Sequence, residues 1–205
     1  MRIIAGFHRG RQLVAPEGLT TRPMTDRVRE SLFNILSTAV EDAVVLDLFC
    51  GSGALGLESL SRGARWCLFV DMDKEALAAV ESNGRTLRLE GQMRIARRSA
   101  LEPGRWILPP PDKFTLIFAD PPYKMTLEPA GRQRLAAMAA ELARLDAVAP
   151  GAVAMIRVKR GTPFDARWPG WRIVDERSYG TTTFYLMEYG PAATGGNDEF
   201  RMTND

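Results

Sequence analysis

From residue 43 onward the sequence alternates between short apolar runs and segments with helical periodicity, and this alternation restricts the fold more than any other feature. AVVLDLF (43–49), WCLFVD (66–71), QMRIARR (92–98), FTLIFA (114–119) and AVAMIRV (152–158) have the length and residue types of strands. Between them lie ALGLESLSR (54–62), KEALAAVESNGRTLRL (74–89) and an alanine-rich segment over 132–148, each patterned as a helix. Strands that alternate with helices predict an α/β fold with a doubly wound, mainly parallel sheet. WRIVDERSY (171–179) and TTTFYLMEY (181–189) read as a hairpin across Gly180, which adds an antiparallel edge and brings the expected sheet to seven strands.

Ahead of this pattern, RIIAGFHRGRQLVAP reads as two short strands around a Gly/Arg turn. TDRVRESLFNILSTAV follows as a helix with Thr25 or Asp26 as its N-cap and an apolar face of Val28, Leu32, Ile35, Leu36 and Ala39. The expected organisation is a hairpin-and-helix extension over 1–40, a main domain over 41–190 and a disordered tail over 191–205, where periodicity is lost. A chain of 205 residues is long enough for one full-sized core, and 45% hydrophobic with 25% charged residues is ordinary globular composition. No internal repeat is present.

A net charge of +2 does not by itself point to nucleic acid. Its distribution is more informative: residues 1–13 carry Arg2, Arg9, Arg11 and His8 and no acid. A solvated basic hairpin is the alternative to a binding surface. Cys50 and Cys67 have neither CxxC pairing nor metal-ligand spacing, so reduced thiols in a cytoplasmic protein are expected, with no metal. No apolar run approaches the ~18 residues that span a bilayer, and the N-terminus does not read as a signal peptide, so no membrane association is expected.

The first strand runs into LDLFCGSGALG, where Gly51, Gly53 and Gly56 satisfy G-x-G-x-x-G, and Asp71 ends the second strand twenty residues after Gly51. Glycines there let the backbone approach a ligand, and an acid at the end of the second strand can bind ribose hydroxyls. Both nicotinamide dinucleotides and S-adenosyl-L-methionine (SAM) contain adenosine, so this acid does not separate them. Asp47 helps: four residues before Gly51, its carboxylate can receive the ammonium of SAM, whereas a pyrophosphate prefers neutral amides and a helix N-terminus. A buried, capped structural aspartate is the competing reading of Asp47.

The fourth strand ends in FADPPYKM (118–125). Neither Pro121 nor Pro122 can donate a backbone hydrogen bond, and each restricts the residue before it to extended conformations. The expected result is a stiff, non-helical elbow carrying a carboxylate, free carbonyls and an aromatic face. If the acceptor is an exocyclic amine of a base, its lone pair is delocalised into the ring. The Asp120 carboxylate and the Pro121 carbonyl, aimed at the amine hydrogens, would favour a pyramidal nitrogen and stabilise developing positive charge. Tyr123 could stack on an extruded base. The competing reading is a plain strand end with Tyr123 packed under a loop.

With these features placed, the sequence resembles the RsmD family of bacterial methyltransferases over residues 1–189. The resemblance is carried by MRIIAGFHRGRQL, RPMTDRVRESLFNIL, LDLFCGSGALGLESLSRGA, FVDMD, FADPPY and SYGTTTFYLME. DPPY is shared by many amino-methylating enzymes; TDRVRESLFN joined to DLFCGSGALGLE is far more specific. The resemblance implies a Rossmann-like SAM-dependent methyltransferase that modifies the N2 amine of a guanine in 16S ribosomal RNA, within a partly assembled 30S subunit. By motif match, Asp47, Phe49, Gly51, Ser52 and Gly53 would line the methionine side of SAM. Asp71 would bind ribose, Met72 would flank adenine, and Asp120, Pro121, Pro122 and Tyr123 would form the target-base site. After the third strand the family usually has an acid near adenine; here Ser99, followed by Ala100, takes that place.

Arg2, Arg9, Arg11, Arg22, Arg27 and Arg29 are then expected to contact phosphates, which position RNA without reading its sequence. For Arg27 and Arg29, local pairing with Asp26 or Glu30 is the alternative. A monomer is expected. Other readings of the chain are a DNA adenine-N6 methyltransferase, a nicotinamide-dependent oxidoreductase that leaves DPPY without a role, and a non-catalytic RNA-binding assembly factor.

Overall fold

Val44–Leu48 (β1) is buried along its whole length, as a central strand must be when helices cover both faces of a parallel sheet. The chain is described by a computed structural model covering residues 1–15, 24–106, 112–164 and 168–190. Arg22 and the 191–205 tail lie outside the described residues. The remaining strands are Trp66–Asp71 (β2), Met93–Arg97 (β3), Phe114–Ala119 (β4), Val148–Lys159 (β5), Trp171–Tyr179 (β6) and Thr182–Tyr189 (β7). They form one seven-stranded sheet in the order β3-β2-β1-β4-β5-β7-β6. The pairings among β1 to β5 are parallel, and β7 joins β5 and β6 antiparallel.

The helices are Asp26–Leu36 (α1), Ala54–Ser61 (α2), Lys74–Leu87 (α3), Tyr123–Leu127 (α4) and Pro129–Arg144 (α5). One core layer joins Leu32 and Phe33 of α1, Leu57 of α2 and Val80 of α3 to Phe69 and Phe118 of the sheet. The opposite layer joins Leu135, Met138 and Leu142 of α5 to Leu46, Val70 and Ile117. Side-chain caps mark two helix starts: Thr25 Oγ1 accepts from the Val28 amide, and Asp73 Oδ1 from the amides of Glu75 and Ala76.

Three expectations are corrected. The N-terminal strands reduce to one antiparallel bridge, Arg2 with Gln12. The ladder stops because the next donors turn away from it: Ile4 and Ala5 amides bond to Glu58, and the Phe7 amide to the Ser61 carbonyl. Second, the helix expected over 132–148 is displaced. Pro129 opens α5 at a position where its missing N–H costs nothing, and Val148 already belongs to β5. Third, the elbow after Asp120 is shorter than expected, because Tyr123 begins α4 directly after Pro122.

Strand order reverses between β1 and β4, so chain connections leave to opposite sides there and open a crevice at the carboxyl ends. Leu48 lies opposite Ala119 in register, which brings the segment after β1 beside the segment after β4.

Candidate active site

The turn after β1 is wound through three left-handed residues, Phe49 (φ 57°), Gly51 (φ 51°) and Gly53 (φ 74°). Phe49 has a Cβ and carries a cost of about 1–2 kcal/mol in this region, so its surroundings must hold it there. They do: the Cys50 amide donates to the Val70 carbonyl, the Gly51 amide to Asp71 Oδ2 at 2.9 Å, and the Gly53 amide to the Cys50 carbonyl. Gly56 serves close packing. A Cβ there would lie 2.3 Å from Phe69 Cε1 and 2.6 Å from Cys67 Sγ. That close approach lets the Gly56 amide reach Asp47 Oδ2 at 2.9 Å.

A cleft of about 1370 Å³ opens at the switch point. Asp47, Phe49, Gly51, Ser52 and Asp71 line one side, and Asp120, Pro121, Pro122 and Tyr123 line the other. Its mouth is completed by Met1, the start of α1 and the β6–β7 turn. Four of the expected cofactor-binding residues are not among its lining. Gly53 is buried under the turn, and Met72 is 67% exposed. The Ser99 carbonyl accepts from Trp106 Nε1, and Ala100 packs in the α5-side core. Ser99 and Ala100 follow β3, the edge strand two positions away from the switch point.

The carboxylates differ in their surroundings. Asp47 is 1% exposed; Oδ2 is bonded to the Gly56 amide, while Oδ1 is buried with no partner among the described residues. Burial pushes its pKa well above the usual carboxylate range; the Gly56 N–H opposes this, and the charges of Asp120 and Asp71 add to it. Asp71 accepts from Gly51 and, through Oδ1, from the Asp73 amide, so part of its bonding capacity already shapes the turn. Asp120 Oδ1 lies 2.5 Å from Arg157 Nε, an ion pair without the alignment of a hydrogen bond. Burial raises the Asp120 pKa and Arg157 pulls it back. The Cys50 and Cys67 thiols are buried and their pKa values pushed well up by that burial, which leaves them inert.

Two site residues were missed in the sequence. Arg157 comes from β5, and its guanidinium carbon stands 5.4 Å from the centre of the Tyr123 ring. Thr182, at the start of β7, shares a 2.6 Å hydrogen bond with the Tyr123 hydroxyl. The available signal was a cation inside AMIRV: an arginine in a buried strand requires a partner. For Thr182 the sequence carries no signal.

The arginines separate into groups. Arg9 and Arg11 are exposed and have no ion-pair partner among the described residues. Arg27 is exposed and reaches the cleft mouth; Arg2 is exposed but paired with Asp26 at 3.1 Å. Arg29 is a correction. It borders the cleft but is fully buried, donates to the Arg2 carbonyl and to Asp26, and lies 3.9 Å from Glu58, so it offers no exposed surface to a phosphate. Among the described residues no group of three or more His, Cys, Asp or Glu is arranged to hold a metal ion, and no helix is long and apolar enough to cross a membrane.

The family model described as Conserved hypothetical protein 95 matches residues 1–188. Ribosomal RNA small subunit methyltransferase D of Haemophilus influenzae is 30% identical over 92% of this chain and 93% of its own length. The protein of the same name from Escherichia coli is 40% identical over 62% of this chain, and the match spans 62% of that protein. A solved Escherichia coli structure, described provisionally as the methyltransferase yhhF, superposes with a TM-score of 0.78 at 30% identity, covering 93% of this chain and 98% of that one. An RNA methyltransferase from Salinibacter ruber, solved with S-adenosyl-L-homocysteine, shares the fold at a TM-score of 0.58 and 14% identity, over 87% of this chain and all of that one. With a family pattern that runs through nearly its whole length, the chain belongs to the Conserved hypothetical protein 95 family, the RsmD family.

Proposed function

We propose that the chain transfers a methyl group from SAM to ribosomal RNA of the small subunit, at the exocyclic N2 amine of a guanine. The observation that carries this reading is the pair of carboxylates, the buried Asp47 and the half-buried Asp120, on adjoining strands of one cleft. Relatives named for small-subunit rRNA methylation support the substrate class.

The residues present fit the methyl donor. An orphaned buried acceptor such as Asp47 Oδ1 is costly unless a ligand supplies a donor, and the ammonium of SAM is a donor of the right charge. Phe49, Gly51 and Ser52 of the left-handed turn line the same side and would hold the methionine half, and the remaining bonding capacity of Asp71 would take ribose hydroxyls. When bound, SAM supplies an electrophilic methyl group that needs no further activation.

The chain's own task is to present the amine and exclude water. Asp120 accepts from one amine N–H and the Pro121 carbonyl from another, which draws the nitrogen lone pair out of conjugation and favours positive charge on nitrogen. Asp120, its basicity raised by burial, can take the surplus proton afterwards. Tyr123 borders the base site with its ring fixed at both ends, by Arg157 and by Thr182. Arg9, Arg11 and Arg27 would contact phosphates around the target, with the protein acting as a monomer on a partly assembled subunit.

The test is incubation of the protein and labelled SAM with small subunits from a strain that lacks the modification, followed by mass-spectrometric mapping. One N2-methylated guanosine is expected. Absence of label in any RNA form, with SAM binding intact, would overturn the reading, and label on duplex DNA adenine would replace it.

A further inference from the structure

We propose that Arg157 is a positioning residue for the amine site: from β5 it fixes the Asp120 carboxylate and the Tyr123 ring together, so that both ends of the Asp-Pro-Pro-Tyr turn face the cleft as one unit. The inference rests on the amino-methylation reading given above.

Arg157 occupies a position where the fold has no need of a charge. Its neighbours Met155, Ile156 and Val158 are buried apolar residues, and Arg157 itself is only 9% exposed. Register explains where it points. Ile156 is opposite Ala119, so the next residues along, Arg157 and Asp120, emerge together at the carboxyl edge. On its other side Arg157 pairs with Phe184 of β7, two residues from Thr182. The guanidinium therefore stands between the carboxylate at the start of the turn and the aromatic ring at its end.

A buried ion pair of this kind is weak evidence for stability, since well-packed apolar residues of similar volume often serve a fold as well or better. Its geometry also differs from that of a stabilising fork. Arg157 Nε and Asp120 Oδ1 are 2.5 Å apart, so the guanidinium holds the carboxylate in its charged form at the edge of the cleft. That is the state wanted in a carboxylate that must accept from an incoming amine. The planar guanidinium is suited to serve both neighbours, because it can stack on an aromatic ring and face a carboxylate at once. Thr182 completes the arrangement by fixing the Tyr123 hydroxyl from β7.

The titratable and charged groups that face Asp120 come from four elements. Burial disfavours the charged form and Arg157 on β5 favours it, while Asp47 on β1 faces the same cleft and Tyr123 with Lys124 on α4 lines it beside Asp120. Asp71 at the end of β2 lines the same cleft. Asp120 must be ionised to accept from the amine, so transfer rises with pH through its titration. Loss of Arg157 removes the favourable partner and moves that titration to higher pH.

The experiment compares wild type, Arg157→Met and Arg157→Lys in two readouts. In the pH profile of methyl transfer, Arg157→Met is expected to move the acid limb upward by at least one pH unit and to lower kcat at neutral pH ~10- to 100-fold, with SAM affinity within about threefold of wild type. Arg157→Lys is expected to restore the acid limb but not the full kcat, because an ammonium does not reproduce the planar stack on Tyr123. The second readout is carbon-13 NMR titration of the Asp120 carboxyl, which needs no turnover. Its midpoint is expected to rise in the Met variant and to return in the Lys variant. An unmoved midpoint and an unmoved acid limb in Arg157→Met would overturn the proposal. Absence of methyl transfer by the wild type would overturn the functional reading instead, with the NMR titration still deciding whether Arg157 governs Asp120. If Arg157→Met does not fold, Arg157→Gln supplies the same comparison with a polar side chain in place of the charge.

Discussion

Glu58 on α2 and Asp47 on β1 are both carboxylates removed from water, 0% and 1% exposed, and their surroundings differ. Glu58 accepts from the Ile4 amide at 2.7 Å, the Ala5 amide at 3.0 Å and Arg62 Nε at 2.8 Å, with Arg29 alongside. Asp47 accepts from one amide and keeps Oδ1 unpartnered. Burying a carboxylate is costly in both places, and in the first the fold itself supplies the compensation. Glu58 thereby fastens the N-terminal segment to the sheet domain. At Asp47 the compensation is left for a ligand, and the raised pKa is the mark of that unfinished solvation. Burial of an acid alone does not identify a site; what its oxygens lack does.

The largest effect that would test this contrast is expected at Asp120, the second incompletely partnered acid. Asp120→Ala should lower kcat for RNA methylation by about 10²–10³-fold while SAM affinity stays near wild type, as judged by radiolabel transfer and calorimetry. Retained turnover would reduce Asp120 to a strand terminator. On the other side of the comparison, Glu58→Ala leaves Arg62 Nε and two backbone amides without their acceptor and Arg29 without a neighbouring opposite charge. It should cost about 3–5 kcal/mol in urea unfolding, the range for breaking a buried pair.

Asp47→Asn is expected to act in opposite directions on stability and binding. An acid whose folded pKa is raised holds its proton more tightly in the folded state. Stability is therefore greatest below the unfolded pKa, near 4, and declines as pH climbs from there towards the raised folded value. The amide removes this decline, so the variant should be more stable than wild type at neutral pH and show a flatter pH dependence of thermal unfolding. SAM affinity should fall ~10-fold or more, since a hydrogen bond to a charged group is worth about 1.5–3 kcal/mol. In the wild type SAM binding should tighten as pH rises through the Asp47 titration, a trend absent from the variant. A smaller effect is expected at Arg9 and Arg11, which are exposed and have no ion-pair partner among the described residues. Arg9→Gln with Arg11→Gln should weaken RNA binding several-fold and make its dependence on log salt shallower by about 1.5, without altering SAM binding.

Much of the fold was legible because apolar runs ended in residues with a single plausible meaning. WCLFVD and FTLIFA match β2 and β4 residue for residue, and each stops where an aspartate meets the carboxyl edge. α4 was hidden by Pro121 and Pro122, which forbid a helix through them but pre-set the backbone for one starting after them. The N-terminal hairpin was over-read for a different reason. Its alternation is real, yet the donors of Ile4 and Ala5 are taken by Glu58, a contact between residues more than fifty positions apart. Arg29 was misplaced by the same kind of contact, because nothing in RVRESL says which arginine turns inward. Asp47, Gly51, Asp71 and the DPPY residues were found through local spacing, Phe49 and Ser52 through the family resemblance, and all line one cleft. Arg157 and Thr182 reach it only through the pairing of β5 with β4 and β7, which no local spacing records.

The most direct test of the central claim is a crystal structure of the protein with S-adenosyl-L-homocysteine. The account predicts its amino group within hydrogen-bonding distance of Asp47 Oδ1, directly or through one ordered water, with the sulfur turned towards Asp120. A ligand bound outside this cleft, or bound within it while Asp47 Oδ1 stays without a donor, would contradict it.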